Sequence, residues 1–212
     1  RKIKLAEDVD LKKVALATAG CVGAAERGQE GIAGEKAMVT FSVETPAVET
    51  KTISDGEKVN IVHWAAFDNA DQPIENLHGT AVITGKTATF NVELVKHYDY
   101  KFVFWAHKGN EYGQHAAYNL GRFDQEGKVI VNYDGDANDE NRDAFYRMEI
   151  IEITSDNEVK TILLYRPFAQ INFLAADYKA VEAVGLHNDM TSTIVMKNLP
   201  TVLNGLDGTV DT

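Results

Sequence analysis

Cysteine is all but missing from this chain of 212 residues. Cys21 stands alone, which excludes an internal disulfide and any metal centre built on several thiolates, so burial and sheet hydrogen bonding must hold the fold. Basic residues are also in short supply, 21 Lys and Arg against 32 Asp and Glu, and the formal charge of -11 repels nucleic acid and anionic bilayers alike. No apolar run is long enough to span a membrane, yet 44% of the residues are hydrophobic, enough to fill a globular core. Heptads, solenoid repeats and low-complexity tracts are absent as well.

The signatures of catalysis are missing too. No pair among His63, His78, His97, His107, His115 and His187 has the i, i+4 spacing with a glutamate that a helical zinc protease needs. His63 and His107 fall in apolar strand patterns and read as packed or edge residues rather than ligands. Ser42, Ser54, Ser155 and Ser192 lack a glycine-flanked elbow, and no glycine-rich strand-to-helix loop is present to cradle phosphate. Carboxylate pairs occur throughout so acidic a chain, so their proximity carries no weight. The chain reads as a non-enzyme without a cofactor.

The acidic loop from Asp134 comes nearest to an ion site. Asp134, Asp136, Asn138 and Glu140 alternate as the oxygen ligands of a calcium loop do, which would suit an accessory domain of a hydrolase. The sixth and twelfth positions, where such a loop needs glycine and glutamate, hold Asp139 and Phe145. A turn whose Asp and Asn side chains bond their own backbone is the favoured reading, and no metal is assigned.

What is present is a period of two. Val39, Phe41 and Val43 alternate with Thr40, Ser42 and Glu44, which predicts a first strand stopped by Pro46. Val59 to Phe67 is apolar on both faces, as a central strand covered from both sides would be. Asp68 to Pro73 reads as a turn, and Ala81 to Thr84 joins Thr87 to Val95 through Gly85-Lys86, a hairpin signal. Tyr98 to His107 puts Tyr98, Tyr100, Phe102 and Phe104 on one face and Val103 and Trp105 on the other. Further strands are predicted over Val129 to Tyr133, Arg142 to Thr154, Val159 to Tyr165 and Thr191 to Met196, with one short helix over Asp177 to Val184. The pattern is that of an all-β sandwich. Three segments are expected: residues 1–35 as a leader or N-terminal arm, 36–165 as the sandwich, and 166–212 as the beginning of a second β-domain, with the boundary near Pro167.

Residues 1–35 admit two readings. Lys12-Lys13, the small and apolar run Val14 to Gly20 and then Cys21 follow the order of a lipoprotein signal, in which the cysteine takes the lipid. The same residues fit a small-residue helix from Asp8 to Ala25, with Cys21 as one more packed side chain.

VTFSVE at Val39, TISDG at Thr52, YKFVFWA at Tyr100, NDENRDAFY at Asn138, RPFAQINF at Arg166 and KNLPTVLNGLDG at Lys197 together resemble the fimbrillin-like surface proteins of Bacteroidales, the type V pilin superfamily, from about Lys36 onward. The resemblance implies two tandem transthyretin-like sandwiches of Greek-key character, the second opening near RPFAQINF and here incomplete. It implies export as a lipoprotein, with Cys21 as the lipidation candidate and a place at the cell surface, anchored to the outer membrane or within a fimbrium. It also implies polymerisation by strand replacement: a protease cuts after a basic residue, the first strand leaves, and another subunit's strand fills the groove. The removable strand would be Val39 to Val43.

Relatives often carry arginine just before the ISDG stretch. This chain has Lys51 there and no arginine between Arg27 and Arg122, so Arg27 and Lys51 are the processing candidates, and Lys51 fits a solvated loop equally well. Cutting at Arg27 leaves the first strand in place, as suits an anchor, a tip or a non-polymerising relative. The expected role is a structural or adhesive subunit whose partners are other fimbrial subunits. The alternative is a lipid-anchored module that binds a glycan or host protein without polymerising, with Tyr112, Tyr118 and Tyr146 as candidate exposed aromatics.

Overall fold

The computed structural model describes residues 34–46, 56–110, 112–134, 139–169, 178–183, 185 and 193–212, and these are almost entirely β. In chain order the strands are β1 (Lys36–Glu44), β2 (Ile61–Phe67), β3 (Pro73–Val82), β4 (Thr87–Val95), β5 (Asp99–His107), β6 (Tyr118–Asn119), β7 (Lys128–Val131), β8 (Ala144–Glu152), β9 (Glu158–Leu163), β10 (Val202–Asn204) and β11 (Val210–Asp211). Two short helices, α1 (Phe123–Glu126) and α2 (Tyr178–Ala183), complete the set.

Three sheets stack. The central one has the order β3-β2-β5-β8, and its middle strands β2 and β5 are apolar on both faces because both faces are covered. An outer sheet, β4-β1-β9, closes one face around Val39, Phe41, Phe90, Leu94, Phe102, Phe104 and Ile162. A second outer sheet, β11-β10-β7-β6, closes the other around Phe67, Val103, Trp105, Val129 and Leu203. The expected all-β sandwich is therefore present, with a third layer, and β10 pairs antiparallel with β7 across the position of Pro167.

The hairpin at Gly85-Lys86 forms as its sequence predicts: Thr84 and Thr87 exchange backbone hydrogen bonds, and Gly85 takes a φ of 72° that glycine enters at no steric cost. Two expectations are corrected. The turn from Asp68 forms, with the Asp68 N–H donating to the Gln72 carbonyl at 2.9 Å, but the strand expected over Ala81 to Thr84 is β3, which begins at Pro73 and ends at Val82. Its buried residues Ile74 and Leu77 are three apart because Asn76, at φ 65°, resets the alternation. The described part of Thr191 to Met196 carries no strand, and Ile194, Val195 and Met196 are exposed; the strand of that region is β10, further on.

Candidate strand-exchange site

The first strand occupies the middle of its sheet. Lys36 to Glu44 run antiparallel to Val95 to Thr87 of β4, and Val39 to Glu44 run parallel to Glu158 to Leu163 of β9. Alternation turns Ala37, Val39, Phe41 and Val43 inward, and each is almost wholly removed from solvent. Phe41 is at 0% exposure, its ring stacked on Phe90 at 5.2 Å and tilted against Phe102 at 4.8 Å. Outward, Thr40 donates to Asn91 Oδ1 at 2.9 Å and Lys36 pairs with Glu93 at 3.2 Å.

Burial of Val39, Phe41 and Val43 at roughly 1.5–3 kcal/mol each supplies about 5–9 kcal/mol, the size of a whole domain's net stability. Without β1, a groove with an apolar floor lies between β4 and β9, each with a row of unpaired backbone groups. Because β4 is antiparallel to β1 and β9 is parallel to it, an incoming strand of either direction meets one parallel and one antiparallel neighbour.

Beyond β1, three of the quoted segments converge on one buried carboxylate. Asp143, 6% exposed, accepts the Gly56 N–H at 2.9 Å through Oδ2 and the Arg166 guanidinium at 2.6 Å through Oδ1. Arg166 lies over the Phe145 ring at 5.0 Å. Gly56 has φ 76°, and a Cβ there would stand 2.9 Å from the same ring, so a side chain is excluded. Gly56, Asp143 and Arg166, one from each of three segments, thus meet as a clamp that fixes the start of the path into β2. Their separation in sequence hid this, and only the runs themselves signalled it.

The histidines form a second cluster. His107, with 0% exposure, accepts the Trp105 Nε1–H on Nδ1 at 3.0 Å, which leaves Nε2–H to donate to the Gly113 carbonyl at 3.2 Å. His63 Nε2 lies 3.2 Å from the same oxygen, and the two rings stack at 5.1 Å. Burial, then the neighbouring His63, pushes the His107 imidazole down to about 3, and burial lowers His63 and His115 as well. His63 on β2 and His107 on β5 thus both engage the Gly113 carbonyl, and no group of three or more metal-binding side chains occurs among the described residues.

Of the predicted site residues, Val39, Phe41 and Val43 are brought together on β1. Cys21, Arg27, Lys51, Asp136 and Asn138 lie outside the described residues. Asp134 is exposed, and its carbonyl accepts from the Arg142 guanidinium, which also donates to the Asn132 carbonyl. Glu140 opens a 3-10 turn to Arg142 that Asp139 caps by accepting the Asn141 N–H at 2.9 Å. Of the three candidate tyrosines only Tyr112 is exposed; Tyr118 is buried, its hydroxyl donating to the Arg142 carbonyl, and Tyr146 donates to the Gly205 carbonyl at 2.6 Å.

A family model described as a family of unknown function, DUF6562, matches residues 32–212. The chain belongs to that family. No curated protein matches this DUF6562 member. Among solved structures it is similar to a candidate polysaccharide-binding protein of Bacteroides thetaiotaomicron, at 18% identity and a TM-score of 0.41, over 61% of this chain and 47% of that one. It is also similar to a fimbrial assembly protein of Parabacteroides distasonis, at 12% identity and a TM-score of 0.36, over 62% and 53% of the two chains. A third is the fimbrial anchor protein Mfa2 of Porphyromonas gingivalis, at 16% identity and a TM-score of 0.33, over 61% and 49%. The DUF6562 chain spans about half the length of each, and scores this low establish neither a shared fold nor a shared role. No helix among its described residues is long and apolar enough to cross a membrane.

Proposed function

We propose that this chain is a structural subunit of a fimbria-like surface assembly, joined to its neighbours by exchange of β1. The observation that carries the reading is the place of that strand. It is the first strand of the described chain, it is paired on both edges, and it closes an aromatic core that a like strand could refill. The six segments that resemble fimbrillin-like proteins support it. In this reading a cut after Lys51 frees β1 while a cut after Arg27 retains it, and lipid on Cys21 holds the subunit to the outer membrane.

The test is uptake of a replacement strand. The chain is cleaved with a lysine-specific or an arginine-specific protease and offered a labelled peptide of the β1 sequence, KAMVTFSVE. Lysine cleavage is expected to yield a body that takes up the peptide and, with intact subunits, forms ladders resistant to mild denaturation. A Phe41→Asp peptide is expected to fail. A cleaved body that keeps its own β1, or loses it and ignores the peptide, refutes strand exchange; a Lys51→Ala chain that assembles as well removes Lys51 alone.

A further inference from the structure

The face of the central sheet turned away from β1 carries a cleft that strand exchange does not use. It has a volume of about 690 Å³ and runs between His63 on β2 and a wall formed by Asn110 and by residues between Tyr112 and Gly121. A smaller hollow of about 300 Å³, bordered by His78, Thr80 and Asp124, adjoins it and shares His63, Leu120 and Gly121. Both volumes are in the range of small-ligand sites.

The wall of the larger cleft is held in place by its own backbone. The Asn110 Oδ1 accepts the N–H groups of Tyr112 at 2.9 Å and Gln114 at 3.0 Å, while Asn110 N–H donates to the Gln114 carbonyl at 2.8 Å. The Gly113 carbonyl between them is tied by His63 and His107, and His115 Nδ1 accepts the Ala117 N–H at 3.0 Å. These bonds engage the backbone and leave the side chains of Tyr112 and Gln114 outward. Tyr112 is 76% exposed, the largest such aromatic surface among the described residues. Asn119 spends its oxygen on the Gly121 N–H at 2.9 Å, and its amide hydrogens have no acceptor among the described residues.

Charge is the discriminating feature. In a chain of formal charge -11, none of the described residues lining this larger cleft is Lys, Arg, Asp or Glu, and burial keeps His63 and His115 neutral near pH 7. The described lining offers a charged ligand no counter-charge of its own, and the charges that reach His115, those of Lys108, Asp139 and Arg142, are of both signs. An exposed aromatic face, Leu120 and carboxamides lining one cleft instead match a molecule with an apolar C–H face and hydroxyl edges. We propose that this cleft binds a neutral carbohydrate, with Tyr112 stacking on a sugar ring and Gln114 and Asn119 bonding its hydroxyls. The proposal is independent of strand exchange.

The experiment titrates the full chain, labelled with nitrogen-15, with cellohexaose, laminarihexaose, maltohexaose, mannohexaose and xylohexaose in turn, and with a hyaluronan hexasaccharide as the anionic arm. At least one neutral oligosaccharide is expected to shift the signals of Tyr112, Gln114, Asn119 and the His63 and His115 rings saturably. Tyr112→Ala is expected to weaken that binding at least about tenfold, as loss of a central aromatic anchor does. Gln114→Ala, also exposed, is expected to weaken it with the rest of the spectrum unchanged. Failure of every neutral member, shifts confined to another surface, binding of the anionic arm alone, or unaltered binding by Tyr112→Ala each overturns the proposal.

Discussion

Acid should weaken this fold well above the range where carboxylates titrate, and His107 should be the main cause. In the folded chain its Nδ1 is engaged by the Trp105 N–H, its Nε2–H by the Gly113 carbonyl, and its ring face by His63. A second proton must break the tryptophan bond and place a charge in a buried, apolar layer beside two other imidazoles. The unfolded chain takes up that proton near 6.5, whereas the folded chain resists it down to about 3. The folded value is depressed, so the stabilisation is complete above the unfolded value and is lost as pH falls toward the folded one. At about 1.4 kcal/mol per pH unit, His107 alone withdraws about 2 kcal/mol by pH 5 and about 5 kcal/mol in full. His63 and His115, lowered by the same burial, add in the same direction. The depressed carboxylates Glu126, Glu158, Asp139 and Asp207 act only below their own lower unfolded range, which leaves pH 6.5 to 5 to the histidines. The variant of choice is His107→Gln, whose carboxamide can accept from Trp105 and donate to Gly113 without titrating. Urea unfolding followed by tryptophan fluorescence at pH 7.5, 6.5, 5.8 and 5.0 is expected to show His107→Gln about 1–2 kcal/mol weaker at neutral pH from lost packing, but closing on the parent as pH falls. Equal slopes for both proteins across that window, or an NMR titration placing the His107 ring near 6.5, would refute the reasoning.

Phe41→Ala should cost about 3–5 kcal/mol in urea unfolding, because it empties the middle of the β1 groove, while Met38→Ala on the exposed face of the same strand should stay within about 0.5 kcal/mol. Asp143→Ala should cost about 2–4 kcal/mol by leaving the buried Gly56 N–H without its acceptor and removing the carboxylate that pairs with Arg166, and Arg166→Ala should cost less because Arg166 is partly solvated. Calcium or chelator should leave Tm unshifted, since the Arg142 guanidinium, bonded to the carbonyls of Asn132 and Asp134, already sets a positive charge at this end of the loop and opposes a cation there; a rise in Tm with calcium would show the loop to be a metal site.

Legibility from sequence followed the regularity of the backbone. In β1, β4 and β5 every second residue faces the core, so Val39, Phe41, Phe90 and Phe102 announced themselves through a period of two. The two-faced burial of β5 was legible in the same way, through Trp105 opposite Phe104. β3 was not, because the positive φ at Asn76 shifts the phase in mid-strand, and β10 is only Val202–Asn204, too short to carry a period. The candidate sites divide similarly. A strand meant for exchange must still alternate like any strand, whereas the Asp143 clamp joins Gly56 and Arg166 through tertiary contact that no spacing encodes. The cleft was hidden because its wall is an irregular loop whose shape depends on Asn110 and on histidines from β2 and β5.

The separation of the two cores bears on whether β1 can be given up at all. Ala37, Val39, Phe41 and Val43 all belong to the core between the outer sheet of β1 and the central sheet. None belongs to the core on the opposite face, where Phe67, Val103, Trp105, Val129 and Leu203 pack. Losing β1 therefore strips about 5–9 kcal/mol of burial from one layer while leaving the other layer's contacts intact. The clamp of Gly56, Asp143 and Arg166 holds the chain on the β2 side of the gap between β1 and β2, so it stays with the body. A body lacking β1 should keep slow amide exchange at Val103, Trp105 and Val129 while the amides of β4 and β9 exchange rapidly, and added KAMVTFSVE peptide should restore protection to β4 and β9. Loss of protection at both cores together would mean that the sheets unfold as one unit, and that no exchange of β1 could proceed through a folded body.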